Sequence, residues 1–590
     1  MMLLEGLRTR AVSGRAGLCL VLMAAALLML PHAVAAQEPE DEAQAAQTAA
    51  TPDAQQWKAG HTIVNPPVKF DHSAPLPKLL EAYQVPPRPD RKRSTTAPVA
   101  TPVEPPPMAD IGPEGAAVEQ TSQGAKQAPA LVASFDGLGA GFEGPQGKAA
   151  ARNPSDNSLG VGPNEIVQIV NSRLAIFTKK GAKYPETGKA LFGPVVTNTL
   201  FAGFGGPCEK QISGDAVVRY DQLADRWLFV LPIFRKPSDE PNATFGMCYA
   251  VSTGPDPMGS YYRYEFKRPL FPDYPRPAIW RDGYYLPTST GDTVIQKHVC
   301  AADRNKMLQG RAADEQCQII DGVSFLNLAD IDGKKLPPAG EPEIVLAAGG
   351  TQLHEIFEDN AIYAWKYSVN WNDPSQTKLS GPEKIAVAPY HFLCNGQLSK
   401  CVPQPGTDVR LDSQGDKLMQ RVSYRNFGRY QSIVASHSID TKAKGGGVRW
   451  YELRLDRSGA LQLFQQGTYA PDGDFRWMPS IALDRKGDIG VGYSFGGASS
   501  YPGQRFAARL AGDPKGQMTL HEAVLAQGEA SQTNTLRWED YTTLDIDPGD
   551  DCTFWYVGDY LRKGEEDYST RIGGFQVPGC SGKHKVLGVF

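Results

Sequence analysis

The sequence lacks several features that would assign it to common classes of protein. None of its nine cysteines forms a Cys-x-x-Cys pair, and the nine histidines do not cluster beside them, so we expect no structural zinc site. The sequence contains no Gly-x-Ser-x-Gly motif, so it does not indicate a serine hydrolase. Lys and Arg do not outnumber Asp and Glu, and the formal net charge is −5. Because nucleic-acid-binding proteins normally carry a basic footprint, we expect no nucleic-acid partner.

Long helical or apolar patterns are also missing. No stretch repeats apolar residues with the spacing of an amphipathic helix. The marked apolar run, Gly17–Leu30, is shorter than the ~20 residues that span a bilayer. It follows three arginines and precedes the small residues Ala33-Val34-Ala35, the pattern of a cleavable secretory signal, with a membrane anchor as the alternative. We predict a signal peptide over residues 1–35 cleaved near Ala35, secretion or periplasmic localisation, and no later transmembrane segment.

Removal of the signal, which contains Cys19, leaves eight cysteines. An even number in an exported chain favours disulfides, although the sequence leaves 105 pairings open. We expect each cysteine to pair with its neighbour along the chain, so that each bridge staples a loop or a sheet. The expected bridges are Cys208–Cys248, Cys300–Cys317, Cys394–Cys401 and Cys552–Cys580.

Residues 36–127 differ in composition from the rest of the chain. They are rich in Ala, Pro, Gln and Glu, and Ala97–Pro107 reads APVATPVEPPP, a polyproline-like run. Such a segment buries too little apolar surface to offset its ordering entropy. We predict a disordered Pro/Ala-rich spacer, or alternatively a prosegment, in front of one domain over residues 128–590.

Beyond residue 128 the texture is that of an all-β fold. Short β-branched and aromatic runs alternate with turns rich in Gly, Asp, Asn and Pro. A unit of apolar strand, tight turn and second apolar strand recurs seven times, at a mean spacing of roughly 64 residues. The repeated units begin at Asn157, Ala216, Pro277, His354, Asp408, Pro479 and Thr542.

These repeats predict a seven-bladed β-propeller of four-stranded antiparallel blades. A blade usually takes ~40–50 residues, and longer loops account for the larger spacing. A pair of β-sandwiches is the alternative. A closed ring requires the two ends of the domain to meet. We therefore predict that Ala130–Phe135 pairs with Arg571–Val577 in one sheet, which would protect both edges.

Two of the turns resemble the Asp-box of sialidase-like, BNR-repeat propellers. They are SIALDRKGDIGVGYS (Ser480–Ser494) and DIDPGDDCTFWY (Asp545–Tyr556), where acidic residues and a glycine precede an aromatic residue. Residues 130–585 also resemble a group of secreted bacterial propeller proteins. The resemblance implies the propeller fold. It does not extend to sialidase catalysis, because the Arg-Ile-Pro motif of that family is missing and Arg173-Leu174-Ala175 lacks the proline.

A propeller gathers the loops that open each inner strand around one mouth of its central channel. Carboxylates occur just upstream of most repeats. They predict either a hard cation such as calcium, which takes six to eight oxygen ligands, or acid–base chemistry. The alternative is that each aspartate only caps the start of its strand. The candidate metal ligands are Asp156, Asp215, Asp273 and Asp408.

Arginine–aromatic neighbours near the same positions predict a carbohydrate site, because a guanidinium can hold a carboxylate beside a flat stacking surface. The alternative is core packing of tryptophan with arginine against it. A Tyr or His beside an Arg suits β-elimination, whereas paired carboxylates suit hydrolysis. The candidate substrate-binding residues are Arg276, Arg476, Trp477, Arg537 and Trp538, and the candidate catalytic residues are Tyr541, Asp540, His354 and Asp215.

Together these features predict a secreted propeller that engages an acidic carbohydrate or cell-surface glycan. It would cleave that ligand by hydrolysis or β-elimination, as a glycoside hydrolase or a polysaccharide lyase. Whether the protein is an enzyme stays open, because a non-catalytic module for a surface protein or glycan has the same features, and a structural envelope protein is a third alternative. We expect a monomer, with calcium as its one candidate cofactor.

Overall fold

The structure, a computed structural model, describes residues 60–83, 111–149, 153–234, 245–268, 270–289, 296–350, 356–456 and 458–580. The predicted signal peptide and the candidate residue His354 lie outside these ranges. Within them, no helix has both the length and the apolar character needed to cross a membrane. The α-helices are α1 (Leu76–Ala82), α2 (Gly112–Ala117), α3 (Gly206–Lys210) and α4 (Arg304–Met307), and the 3-10 turns are Thr197–Phe201, Pro374–Gln376 and Leu393–Gly396.

Strands are the main regular structure of the described residues. Short strands come first: β1 (Ile63–Asn65), β2 (Lys69–His72), β3 (Glu119–Gln120), β4 (Ala130–Asp136), β5 (Glu143–Gly144) and β6 (Gly147–Lys148). Seven antiparallel ladders, S1 to S7, then succeed one another along the chain. S1 contains β7 (Asn157–Val161), β8 (Glu165–Val170), β9 (Arg173–Thr178) and β10 (Ala190–Val196). S2 contains β11 (Val217–Asp221), β12 (Arg226–Ile233), β13 (Phe245–Ser252) and β14 (Tyr261–Arg268). S3 contains β15 (Ala278–Ile279), β16 (Gly283–Thr288), β17 (Gln296–Asp303) and β18 (Glu315–Asp321). S4 contains β19 (Asn327–Ile331), β20 (Glu343–Ala348), β21 (Ala361–Ser368) and β22 (Lys378–Ala386).

The remaining ladders come after a small separate hairpin, β23 (Val402–Gln404) and β24 (Thr407–Leu411). S5 contains β25 (Val422–Asn426), β26 (Gln431–Asp440), β27 (Gly446–Leu455) and β28 (Leu461–Tyr469). S6 contains β29 (Phe475–Leu483), β30 (Ile489–Gly497), β31 (Ser500–Arg509) and β32 (Ala523–Ala526). S7 contains β33 (Thr543–Ile546), β34 (Phe554–Tyr560), β35 (Ser569–Gln576) and the early strand β4. S4 and S5 form one continuous sheet, because β19 pairs with β25 in parallel.

The predicted all-β architecture with many antiparallel sheets is confirmed. The predicted pairing of the two ends of the domain is also confirmed, because β4 is the fourth strand of S7. Arg571 lies opposite Asp136, and Gln576 lies opposite Ala130. A strand from the start of the domain therefore completes the last ladder.

Five of the seven repeats fall on the first hairpin of a ladder, and two do not. The turn near residue 360 joins β20 to β21, and the segment near residue 414 precedes β25 without joining two paired strands. The first hairpin of S4 is instead β19–β20. Its turn begins at the sequence Asp330-Ile331-Asp332-Gly333. The hairpin β23–β24 adds a long insertion between S4 and S5, so an even spacing could not locate either unit.

Alternation of glycine with apolar residues in β30 allows S6 and S7 to pack closely. A Cβ atom at Gly492 would lie 2.4 Å from the ring of Tyr556, and one at Gly490 would lie 2.7 Å from the ring of Phe554. The aromatic side chains of β34 therefore lie directly on the backbone of β30. The sequence Ile-Gly-Val-Gly-Tyr is thus a packing motif between neighbouring ladders.

The prediction of a disordered spacer over residues 36–127 is wrong for its two described parts. Strand β1 pairs with β18 at the edge of S3, β2 pairs with β14 at the edge of S2, and β3 pairs with β28 in S5. Leu76 and Leu79 of α1 are buried against S1 and S2. Strands of two to four residues and a seven-residue helix are too short to stand out in a Pro-rich sequence, yet the strands cover exposed sheet edges.

The four predicted disulfides are all confirmed. The Asp-box-like turns are also organised by carboxylates. Asp484 accepts hydrogen bonds from the backbone N–H groups of Lys486 and Asp488, at 2.8 and 3.0 Å. Asp550 accepts the N–H groups of Cys552 and Thr553, each at 2.9 Å. Each carboxylate thus replaces backbone partners that a tight turn cannot supply.

Candidate active site at the starts of the first strands

Three aspartates meet at the turns that precede the first strands of S1, S2 and S3. Asp156 comes directly before β7, Asp215 shortly before β11 and Asp273 shortly before β15. Asp215 lies within hydrogen-bonding reach of both Asp156 and Asp273. We call these three residues the aspartate row. Three of the four predicted metal ligands therefore meet.

The turns that carry this site share an unusual backbone conformation. Asp156, Asp215, Tyr274, Gln414 and Asp540 all have positive φ angles, between 46° and 63°. Aspartate tolerates this left-handed region better than most residues, but tyrosine and glutamine do so at a cost of order 1–3 kcal/mol each. Strained backbone of this kind concentrates at functional sites, where the surrounding fold holds it in place.

A fourth aspartate, Asp540, comes from the turn before β33 in S7. Its carboxylate accepts hydrogen bonds from Arg537 at 2.7 Å and from Gln414 at 3.0 Å. Arg537 also forms an ion pair of 2.7 Å with Asp412. The backbone carbonyl of Asp540 accepts the hydroxyl of Tyr274. Asp540 is therefore held by donors that stabilise its negative charge.

The aspartate row has the opposite environment. Burial is the largest cause that raises the pKa of Asp156 and of Asp273 well above the ordinary value, followed by the charge of Asp215. The pKa of Asp215 is raised by burial and then by the charge of Asp540. Asp156 is fully buried, whereas Asp215 and Asp273 are partly exposed. Two carboxyl groups with raised pKa values are therefore partly exposed to solvent.

The hydroxyl of Tyr541 reaches into the same space. Tyr541 is fully buried, and its ring lies 5.0 Å from that of Tyr274 in an edge-to-face contact. Among the described residues its hydroxyl has no hydrogen-bond partner. Burial, followed by the charges of Asp215 and Asp156, raises the pKa of Tyr541 well above its usual range. Tyr541 is therefore a proton donor at neutral pH and a poor base.

Two buried cations border the row on the side of S3 and S4. The guanidinium of Arg276 lies 4.1 Å from the ring centre of Tyr274, and it donates to the carbonyl of Leu326 at 2.6 Å. Lys417 lies 4.1 Å from the ring centre of Phe325. Burial lowers the pKa of Arg276 to about 10. Arg276 is thus buried against Tyr274, and its Nε and Nη2 atoms have no hydrogen-bond partner among the described residues.

Three of the predicted sugar-binding side chains are fully buried. Arg476 is fully buried, with ion pairs of 2.7 Å to Asp472 and to Glu522. Trp477 and Trp538 are fully buried in one hydrophobic cluster, with ring centres 6.2 Å apart. Neither tryptophan offers a face to a ligand. The packing alternative therefore describes these residues. The sequence could not distinguish the two environments, because an Arg-Trp pair reads the same in both.

Asp408 does not join the aspartate row, contrary to the prediction. It is exposed on β24, in the insertion between S4 and S5. The same insertion supplies Asp412, Gln414 and Lys417, which the sequence pattern did not reveal. A correct placement of S5 on β25 would have found them, because they are the residues just upstream of its first strand.

Among the described residues, two groups of side chains have potential metal-ligating atoms close together, but neither group indicates a bound cation. These are Cys300, Glu315 and Cys317 in one place and Asp484, Cys552 and Cys580 in another, and their cysteines form disulfides. Asp156 does present a carboxylate oxygen that no donor reaches within the described ranges. Calcium at the aspartate row therefore stays a prediction.

Comparisons with known proteins found distant similarity. No protein-family model matches the sequence, and no curated protein sequence matches it. Among solved structures, a protein of unknown function from Dyadobacter fermentans is 12% identical over 76% of this chain and 100% of its own, with a TM-score of 0.33. An endo-1,5-α-L-arabinanase from Thermotoga petrophila is 12% identical over 72% and 99%, with a TM-score of 0.27. A PL25 ulvan lyase is 10% identical over 70% and 81%, with a TM-score of 0.25. Similarity this weak says nothing about the chemistry of this chain, which has to be inferred from its own geometry.

Proposed function

We propose that S1 to S7 are the blades of a closed seven-bladed propeller whose first strands surround one channel. A buried ion-pair network supports this arrangement. Arg421, directly before β25, donates to Asp330 of S4 at 2.7 Å and lies 3.7 Å from Asp545 of S7. Asp330 also lies 3.4 Å from Arg219 of S2, and Asp545 accepts the backbone N–H of Val161 of S1 at 3.2 Å. First strands that are far apart in sequence thus share one charged centre.

We further propose that the mouth of this channel is a glycan-hydrolysing site, with Asp215 as the general acid and Asp540 as the base or nucleophile. The observation that carries this proposal is the contrast between two carboxyl groups at one opening. Burial and neighbouring negative charge raise the pKa of Asp215, whereas the carboxyl group of Asp540 accepts hydrogen bonds from Arg537 and Gln414. Glycoside hydrolysis needs such a pair.

Hydrolysis suits this geometry better than β-elimination. An elimination mechanism needs a base that removes a proton next to a carboxylate. Tyr541, the predicted base, has a raised pKa and would rarely be ionised. The other candidate, His354, lies outside the described residues. A protonated Tyr541 is better placed to donate a hydrogen bond to a ligand hydroxyl or to Asp156.

The same contacts favour a hydroxyl-rich neutral sugar over the acidic sugar that the sequence suggested. Recognition of a uronate needs a cation that faces the ligand. Arg537 is engaged by Asp412 and Asp540, and Arg276 packs under Tyr274. Carboxylates at the opening are instead natural acceptors for sugar hydroxyls. The substrate panel should nevertheless contain both classes.

The test is a screen of neutral and acidic polysaccharides with the full secreted chain, read by new reducing ends and by absorbance of unsaturated products. We expect new reducing ends without unsaturation. Asp215→Asn and Asp540→Asn should each lower kcat by at least about 100-fold, the scale of general acid–base catalysis. Asp408→Asn is the matched control, because that carboxylate is exposed and lies outside the site.

The outcomes separate the alternatives. Unsaturated products that disappear in Tyr541→Phe would show a lyase and refute the assignment of Asp215. Glycan binding without any product would support the rival proposal of a non-catalytic secreted module, for which a surface protein is the other candidate partner. Full activity in both aspartate variants would end the proposed mechanism.

A cation is the second candidate use of the aspartate row. Three carboxyl groups in hydrogen-bonding reach repel one another unless protons or a cation compensate them, and calcium prefers such oxygen ligands. We propose calcium on this ground. EDTA should then lower the melting temperature, and added calcium should restore it in the wild type but not in Asp156→Asn. A melting temperature that does not change with EDTA would mean that shared protons, not a cation, compensate the charges of the three carboxyl groups.

We also propose that the protein is exported and works as a monomer. Four disulfides are consistent with an oxidising compartment outside the cytosol. N-terminal sequencing of the mature protein should begin near Ala36. Sedimentation should give the mass of one chain.

A further inference from the structure

A second cleft with charged walls lies beside the insertion between S4 and S5. Its volume is about 450 Å³. It lies between the disulfide loop at Cys394–Cys401, the start of β29 and the turn after β26. Its charged lining residues are Arg410, Asp440, Lys444 and Asp474.

Asp440 is the feature that points to a ligand. It ends β26 and is 3% exposed. One carboxylate oxygen accepts the backbone N–H of Cys394 at 2.8 Å. The other oxygen, Oδ2, is buried without a hydrogen-bond partner among the described residues. A buried carboxylate oxygen without a donor is costly, so the cleft should favour a ligand that supplies one.

The opposite charge lies at the rim of the cleft. Arg410 of β24 is partly exposed and donates to the carbonyl of Cys401 at 2.9 Å. Lys444, in the turn between β26 and β27, is exposed. Asp474 is partly exposed and accepts the hydroxyl of Ser500 at 3.0 Å. The cleft therefore has a buried acceptor inside, and two basic side chains and one carboxylate at its edge.

We propose that this cleft is a ligand site for a small zwitterion, whose ammonium group contacts Asp440 while its carboxylate faces Arg410 and Lys444. Clefts of about 300–1,000 Å³ are typical of small-molecule sites, and this one is at the lower end of that range. The proposal is independent of the glycan site, because none of the cleft residues belongs to the aspartate row.

The test is calorimetric titration of the full secreted chain with alanine, alanine methyl ester and N-acetylalanine. The ester lacks the carboxylate, and the acetyl derivative lacks the ammonium. We expect alanine to bind in the millimolar range or tighter, the ester to bind more weakly, and N-acetylalanine not to bind. Asp440→Asn should weaken alanine and its ester by about 10- to 100-fold, as expected for the loss of a charged hydrogen bond.

Arg410→Gln should weaken alanine but leave the ester unchanged, which a merely structural role of Arg410 would not do. Asp408→Asn, on the same hairpin as Arg410, is the control and should bind as the wild type does. Circular dichroism should show that each variant is folded. Absence of alanine binding to the wild type would overturn the proposal, and so would equal binding of alanine and N-acetylalanine.

Discussion

Replacement of Asp440 by asparagine should make the protein more stable at neutral and alkaline pH. Burial raises the pKa of Asp440 from 3.8 to about 6, against the backbone hydrogen bonds from Cys394 and Asn395. Asparagine has nearly the same shape. Its carbonyl oxygen can accept the Cys394 N–H, and its amide replaces the carboxylate oxygen that has no donor among the described residues.

The sign and size of the effect are set by linkage. Because the folded pKa is above the unfolded one, protonation of Asp440 favours the folded state below pH 3.8, and this contribution is lost as the pH rises through 6. A pKa difference of about 2 corresponds to roughly 3 kcal/mol. Asp440→Asn should therefore gain up to about 3 kcal/mol at pH 8 relative to the wild type, and this gain should vanish near pH 4.

The assay is thermal unfolding of both proteins between pH 4 and pH 8, without reductant. At ~2 cal/mol/K per residue, roughly 450 folded residues carry an unfolding entropy of about 1 kcal/mol/K, so the gain appears as a Tm increase of about 3 °C at pH 8. Asp474→Asn serves as the control at the same cleft, because that carboxylate is partly exposed and already accepts the hydroxyl of Ser500. A Tm difference that is independent of pH, or a less stable variant at pH 8, would refute the reasoning.

Two further predictions concern parts outside the clefts. Leu79→Ala should destabilise the docking of α1 by about 2–5 kcal/mol, because this side chain is only 4% exposed. Limited proteolysis of this variant should then cut between residues 60 and 83. Lys78→Ala, which changes an exposed side chain of the same helix, should be cut as slowly as the wild type. Removal of the Cys552–Cys580 bridge by double alanine substitution should lower the free energy of unfolding by about 3–4 kcal/mol, because this bridge closes a loop of 28 residues. Removal of Cys394–Cys401, which closes a loop of 7 residues, should lower it by about 2 kcal/mol. Equal losses of Tm in the two variants would contradict this dependence on loop length.

The sequence could locate part of the candidate site because some of its residues lie next to the strands that they precede. Asp156 directly precedes an apolar strand, a tight turn and a second strand, so its position at the start of a ladder is readable. Asp215 and Asp273 are placed in the same way. The fourth and fifth repeats are misplaced because the insertion containing β23 and β24 breaks the spacing. His354 and Asp408 depend on those misplaced repeats.

Other errors arise because one local sequence is compatible with two environments. Arg476-Trp477 and Arg537-Trp538 are nearly identical pairs, yet Arg476 is fully buried while Arg537 remains partly exposed beside Asp540. The difference depends on Asp472 and Glu522, one of which is 46 residues away from Arg476. Contacts at that separation are set by how the ladders pack.

Two groups of buried aspartates in this fold differ in how their charge is compensated, and that difference is the strongest reason to place the site at the aspartate row. Between the first strands of S4 and S5, the guanidinium of Arg421 donates to Asp330 at 2.7 Å and to Asp332 at 2.9 Å. Because these charges are paired with one another, a structural role is enough to explain why they are buried. In the row, Asp156 and Asp215 lie within hydrogen-bonding reach of each other, and Asp215 is partly exposed. The charge of Arg537 lowers their pKa values less than burial raises them. Stability alone would favour replacement of these residues by neutral ones. The proposed hydrolytic site needs such an arrangement, because it relies on a raised pKa at Asp215.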